Sequence, residues 1–170
     1  MANSASFSNA ANAGVVSQQA SGISANGGTL NNARSISGTT GVSIANTAET
    51  ITNSSTILGT SGEGIVANGK INVSITNTGT IVGVAGVAVR TDTGSDTFNM
   101  NGGTVTGQIR QGDGFDAFTM TAGQIDSLDQ GDGTDMFNMS GGRIVGVFIK
   151  ATLNQPLYSS IQAQTAADSS

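Results

Sequence analysis

Residues 97–149 read TFNMNGGTVTGQIR, QGDGFDAFTMTAGQIDSLDQ and GDGTDMFNMSGGRIVGVFI. Aligned on Phe98, Phe118 and Phe137, the three segments place an aliphatic residue at Val105, Ile125 and Ile144. A second large apolar residue follows at Ile109, Leu128 and Phe148. Near each opening the letters alternate. Phe98 and Met100 fall on one side of the chain, Thr97 and Asn99 on the other, which is the period of a β-strand. No sustained helical period occurs anywhere in the chain.

Four units upstream follow the same plan. They open at Phe7, Leu30, Ile51 and Ile75, so the seven openings are spaced 23, 21, 24, 23, 20 and 19 residues apart. Three rows of apolar anchors emerge. The first is Phe7, Leu30, Ile51, Ile75, Phe98, Phe118 and Phe137. The second is Val16, Ile36, Ile57, Ile81, Val105, Ile125 and Ile144. The third is Ile23, Ile44, Ile65, Val89, Ile109, Leu128 and Phe148. A repeat of ~20 residues with three short strands and three inward rows describes one coil of a β-solenoid, with successive coils about 4.8 Å apart. The expected fold is therefore all-β, a single-stranded parallel β-helix of about seven coils. It occupies residues 1–149, and residues 150–170 form a C-terminal cap or tail.

Composition agrees with many tight corners. Gly, Ser, Thr and Asn make up 81 of 170 residues, and Ile and Val number 26 against 5 Leu. Branched residues favour strands, while Gly and Asn tolerate the positive φ that corners need. A repeated amide row, Asn9, Asn32, Asn53 and Asn77, invites a ladder of side-chain hydrogen bonds along the axis. The alternative for these residues is simple turn formation.

The composition also excludes much. With no Cys and no His there are no disulfides, no thiolate metal sites and no Ser-His-Asp relay. Six Lys and Arg against eleven Asp and Glu, a net charge of −5, argue against nucleic acid as a partner. No run is long enough to span a membrane. No N-terminal targeting segment is evident in Met1–Ser21, consistent with a mature or excised piece or with export that needs no such signal.

Eight of the eleven acids lie between Asp92 and Asp135. Asp96, Asp116 and Asp135 recur at one place in successive units, and Asp113 and Asp132 at another. Stacked like charges repel and need an offset. Calcium is one expectation, which makes Asp96, Asp113, Asp116, Asp132 and Asp135 the candidate metal ligands. The other is that each Asp caps its own turn. Arg90, Arg110 and Asp129 fall in one row, so Arg110 and Asp129 should be neighbours.

Two resemblances follow from these motifs. GDGFDAF resembles the calcium-binding nonapeptide of RTX solenoids through Gly112, Gly114, Asp116 and Phe118, although Gln111 replaces the first Gly and the opposite edge lacks a matching Asp row. The tandem ITNSSTILGTSGEGI, ITNTGTIVGVAGVAV and FxMxGGxIxG units, over residues 7–149, resemble passenger repeats of autotransporter (type V secreted) proteins, adhesin-type passengers in particular. That resemblance implies a right-handed β-helix on the surface of a Gram-negative cell, a stalk for adhesion, aggregation or biofilm contact. The expected function is a non-catalytic extracellular rod that needs no cofactor. Its expected partners are a second copy, stacked head to tail, or a host or cell-surface glycan or protein. A calcium-responsive RTX-like module is the alternative. A polysaccharide-acting enzyme using pairs such as Asp113/Asp116 or Asp132/Asp135 is a further one.

Overall fold

The computed structural model describes residues 5–9, 14–17 and 20–151, all as strands, turns and connecting segments with no helix. Every ladder is parallel and joins equivalent segments of neighbouring repeats. The first strands run in the order Ala5–Asn9, Gly28–Asn32, Glu49–Asn53, Val73–Asn77, Thr97–Arg110, Ala117–Asp132 and Met136–Met139. The chain is a β-solenoid of about six turns.

The first anchor row stacks as its letters imply. Phe7 pairs with Leu30, Leu30 with Ile51, Ile51 with Ile75, Ile75 with Phe98, Phe98 with Phe118, and Phe118 with Phe137. Ile36, Ile57, Ile81, Val105, Ile125 and Ile144 form the second row. Two positions differ from the sequence reading. Val15, not Val16, pairs with Ile36. Two adjacent valines carry no alternation, so the period could not choose between them. In the third row Val42, not Ile44, sits between Ile23 and Ile65, while Ile44 pairs with Ala25 and Ala67. Val42 and Ile44 are two residues apart on one strand, so both face inward, and both are fully buried.

The core is one continuous column of these rows. Its far half is aromatic and thioether. The rings of Phe98 and Phe118 stack 5.7 Å apart, those of Phe118 and Phe137 5.8 Å apart, and Phe148 tilts against Phe137 at 4.4 Å. Met100, Met120 and Met139 form a parallel file beside them. In the upper coils strands are short and separated by turns. Between Thr80 and Asp132 they fuse into runs of 11, 14 and 16 residues that bend through bulges, and the last coil is again in short strands. The cap or tail expected over residues 150–170 lies, from residue 152 on, outside the described residues.

Candidate functional site

Four polar rows accompany the apolar ones, and they divide into buried and exposed sets. The amide row is a ladder. Asn9 Nδ2 donates to Asn32 Oδ1 at 2.9 Å, Asn32 Nδ2 to Asn53 Oδ1 at 2.7 Å, and Asn53 Nδ2 to Asn77 Oδ1 at 2.7 Å. Each of the last three also donates to a backbone carbonyl of its own corner or of an adjacent coil. The ladder ends where Asn77 Nδ2 meets Met100 Sδ at 3.3 Å, and the methionine file takes over its position. All four amides are buried, so the ladder belongs to the framework rather than to a ligand.

The acidic row lies at the corner before each first strand. Register places Glu49, Val73, Asp96, Asp116 and Asp135 over one another. The expectation that each Asp caps its own turn is corrected here, because each reaches the coil before it. Asp96 Oδ1 accepts from Val73 N–H at 2.7 Å, Asp116 Oδ1 from Asp96 N–H at 2.8 Å, and Asp135 Oδ1 from Asp116 N–H at 3.0 Å. The main-chain carbonyls answer in the other direction. Ala117 N–H donates to Asp96 O at 2.8 Å and Met136 N–H to Asp116 O at 2.7 Å. The chain is turning here, so the next coil does not present a carbonyl to these N–H groups, and the carboxylate oxygen takes its place. Glu49 does the same for Gly27, with a longer arm.

This arrangement conflicts with charge. Asp96 and Asp116 are buried, and their Oδ2 atoms have no hydrogen-bond partner. Burial raises the Asp116 carboxyl to about 7 against the hydrogen bond from Asp96, and the charges of Asp96, Asp135 and Asp113 push the same way. Burial likewise raises Asp96, opposed by the Val73 N–H, and raises Glu49, opposed by Gly27.

A buried glutamine pair was not anticipated. Gln130 Nε2 donates to Gln111 Oε1 at 3.2 Å, and the two amides also hold the Met136 and Ala117 carbonyls. Above them Thr91 Oγ1 donates to the Gln111 carbonyl at 2.7 Å. The signal was present in the twice-repeated Gln-Gly-Asp-Gly. The glycine motif treats Gln111 only as a departure, whereas it begins a second amide row.

The exposed set lies on the corner between the glutamine and acidic rows. Thr93, Asp113 and Asp132 stand in one file, and Ser95, Phe115 and Thr134 in another. Between them runs a floor of Gly94, Gly114 and Gly133. A Cβ at Gly114 would overlap the Gly94 carbonyl oxygen, and one at Gly133 would overlap that of Gly114. Only glycine lets these corners nest. At the upper end Lys70 pairs with Thr93, and Asn72 Oδ1 accepts from Ser95 N–H at 2.8 Å.

The candidate metal ligands therefore divide. Asp96, Asp116 and Asp135 are buried in one row, whereas Asp113 and Asp132 are exposed on the corner. Among the described residues no group of three or more acidic side chains is arranged to hold a metal ion. Arg110 and Asp129 are neighbours in register, as expected. Their side chains turn elsewhere, Arg110 Nε to Gln108 Oε1 at 2.6 Å and Asp129 Oδ1 to Gly131 N–H at 3.1 Å. Among the described residues an ion pair forms between Arg90 and Glu63 at 3.2 Å, across the neighbouring coils that stack Val89 on Ile65.

Comparison with protein-family models, with curated proteins and with solved structures yields no match.

Proposed function

We propose that the chain is a non-catalytic structural and adhesive rod of the autotransporter-passenger type, displayed on or released from the surface of a Gram-negative cell. The carrying observation is the uniformity of the coils. Seven equivalent first strands stack in register, and their outward positions present Thr, Ser and Asn except at Ala117 and Met136. The corners are short. The enclosed space beside Ile75, Phe98 and Gln111 amounts to about 10 Å³, about one water. Such a surface suits repeated weak contacts with a glycan or a protein better than it suits turnover.

Self-association end to end is part of this function. Among the described strands Ala5–Asn9 is paired on one side only, and so are Met136–Met139, Arg143–Ile144 and Phe148–Ala151. A half-paired strand is a template for another. Core-facing apolar side chains are exposed at both described ends, Phe7 at 45% and Met139 at 37%. Adding copies head to tail continues the same rows and propagates without closing.

Two measurements test this function. Negative-stain microscopy over a concentration series should show filaments one rod wide, and a strictly monomeric protein at high concentration would overturn the end-to-end contact. Beads coated with the chain should adhere to cells or to one another, and inert beads would overturn adhesive display.

A further inference from the structure

The corner floored by Gly94 and Gly114 is an open groove of about 430 Å³. Its walls differ from the rest of the rod surface. Phe115 is 50% exposed, in a file otherwise occupied by Asn72, Ser95 and Thr134. Phe115 takes no part in the ring contacts found among the described residues. The Phe98, Phe118 and Phe137 rings that do support the core stack elsewhere, inside the column.

The polar groups are also available. Lys70 and Asp113 line the groove and are exposed, and the ion pair found among the described residues is Arg90 with Glu63, so neither is neutralised by a partner. Asn72 spends its Oδ1 on Ser95 N–H, which fixes the amide plane and leaves Nδ2 as a free donor. An ammonium and an amide N–H at one end, the Thr93 and Ser95 hydroxyls flanking Gly94, a carboxylate acceptor and an aromatic face together match the surface of a sugar. Hydroxyl groups both donate and accept, and the flat apolar face of a pyranose packs on an aromatic ring. The repeat also fits, because a hexopyranose in an extended chain advances by nearly the coil spacing of about 4.8 Å.

We propose that this groove binds an extended chain of neutral hexopyranoses lying along the rod axis. One ring packs on Phe115 and its hydroxyls donate to Asp113, the next lies over Gly94 beside Thr93 and Ser95, and a third accepts from Lys70 and Asn72. The site rests on the displayed-rod function above and gives its glycan partner a location.

Calorimetric titration of the full chain with the β-linked tetrasaccharides of glucose and of N-acetylglucosamine tests it. At least one should bind saturably at millimolar concentration or below. Phe115→Ala should weaken that binding by about tenfold, and Asp113→Asn should also weaken it, both with an unchanged β spectrum. Val84→Ala, a control at an exposed residue outside the groove, should leave it unaltered. Failure of both sugars to bind, an affinity insensitive to Phe115→Ala, or binding of extended peptides in their place would overturn the proposal. Beads carrying the Phe115→Ala chain separate the two levels. If they adhere as well as wild type, the groove is refuted while the displayed rod stands.

Discussion

Asp116→Asn tests the buried acidic row most sharply. The substitution removes a charge and keeps the oxygen that accepts Asp96 N–H. The folded carboxyl titrates near 7 against an ordinary value of 3.8. The folded chain therefore holds this proton over a range where the unfolded chain has released it, and stability falls as pH rises from about 4 to about 7. At 1.36 kcal/mol per unit, a difference of about 3 units is about 4 kcal/mol, fully present below pH 4 and lost above pH 7. Asp96 and Glu49, both raised, add to the same slope. In the variant the new Nδ2 group sits where Oδ2 had no partner, at a cost of about 1–3 kcal/mol that does not depend on pH. Urea unfolding at a series of pH values should thus show wild type losing stability between pH 4 and 8, with the Asp116→Asn profile flatter by about 4 kcal/mol. A wild-type stability that rises with pH over this interval, or two parallel profiles, would refute the reasoning.

Asn53→Ala interrupts the amide ladder at its middle, stranding Asn77 Oδ1 and weakening the hold on Asn32, and should lower stability by about 1–3 kcal/mol per stranded group in urea melts. Phe118→Ala, at the centre of the ring column, should cost about 3–5 kcal/mol by the same assay. Gly114→Ala places a methyl group against the Gly94 carbonyl and should cost more than about 1 kcal/mol, whereas Ser95→Ala on the same corner should stay within about 0.5 kcal/mol. Removing calcium with a chelator should leave the far-UV spectrum unchanged, because backbone N–H groups already engage the Asp96, Asp116 and Asp135 carboxylates; unfolding on chelation would favour the RTX-like alternative.

The apolar rows were legible because a solenoid repeats the same burial problem in every coil. Leu30, Ile51, Ile75 and Phe98 occupy one place, and a single letter pattern exposes it. Register was less legible where the pattern was locally degenerate, at the adjacent Val15 and Val16 and at Val42 and Ile44. The Asn ladder was visible because its spacing follows the anchors. The partners of the Asp row were not. Turn chemistry suggests a bond within the residue's own corner, and only the stacking shows that the nearer donor belongs to the preceding coil. Gln111 and Gln130 were hidden by the comparison with a glycine motif. The groove could not be read because Lys70 and Asn72, Thr93 to Ser95, and Asp113 to Phe115 come from three different coils that meet only once the chain is wound.

That winding is open to direct measurement by paired spin labels, since the chain has no Cys to compete. Asn31, Thr52, Thr76, Asn99, Thr119 and Asn138 form one file of successive partners on the first strands. Labels at Asn31→Cys and Asn138→Cys are five coils apart and should give a narrow distance near 24 Å, with intermediate pairs shortening by about 4.8 Å per coil. A broad distribution, or distances that do not follow the order of the coils, would contradict the stacked solenoid.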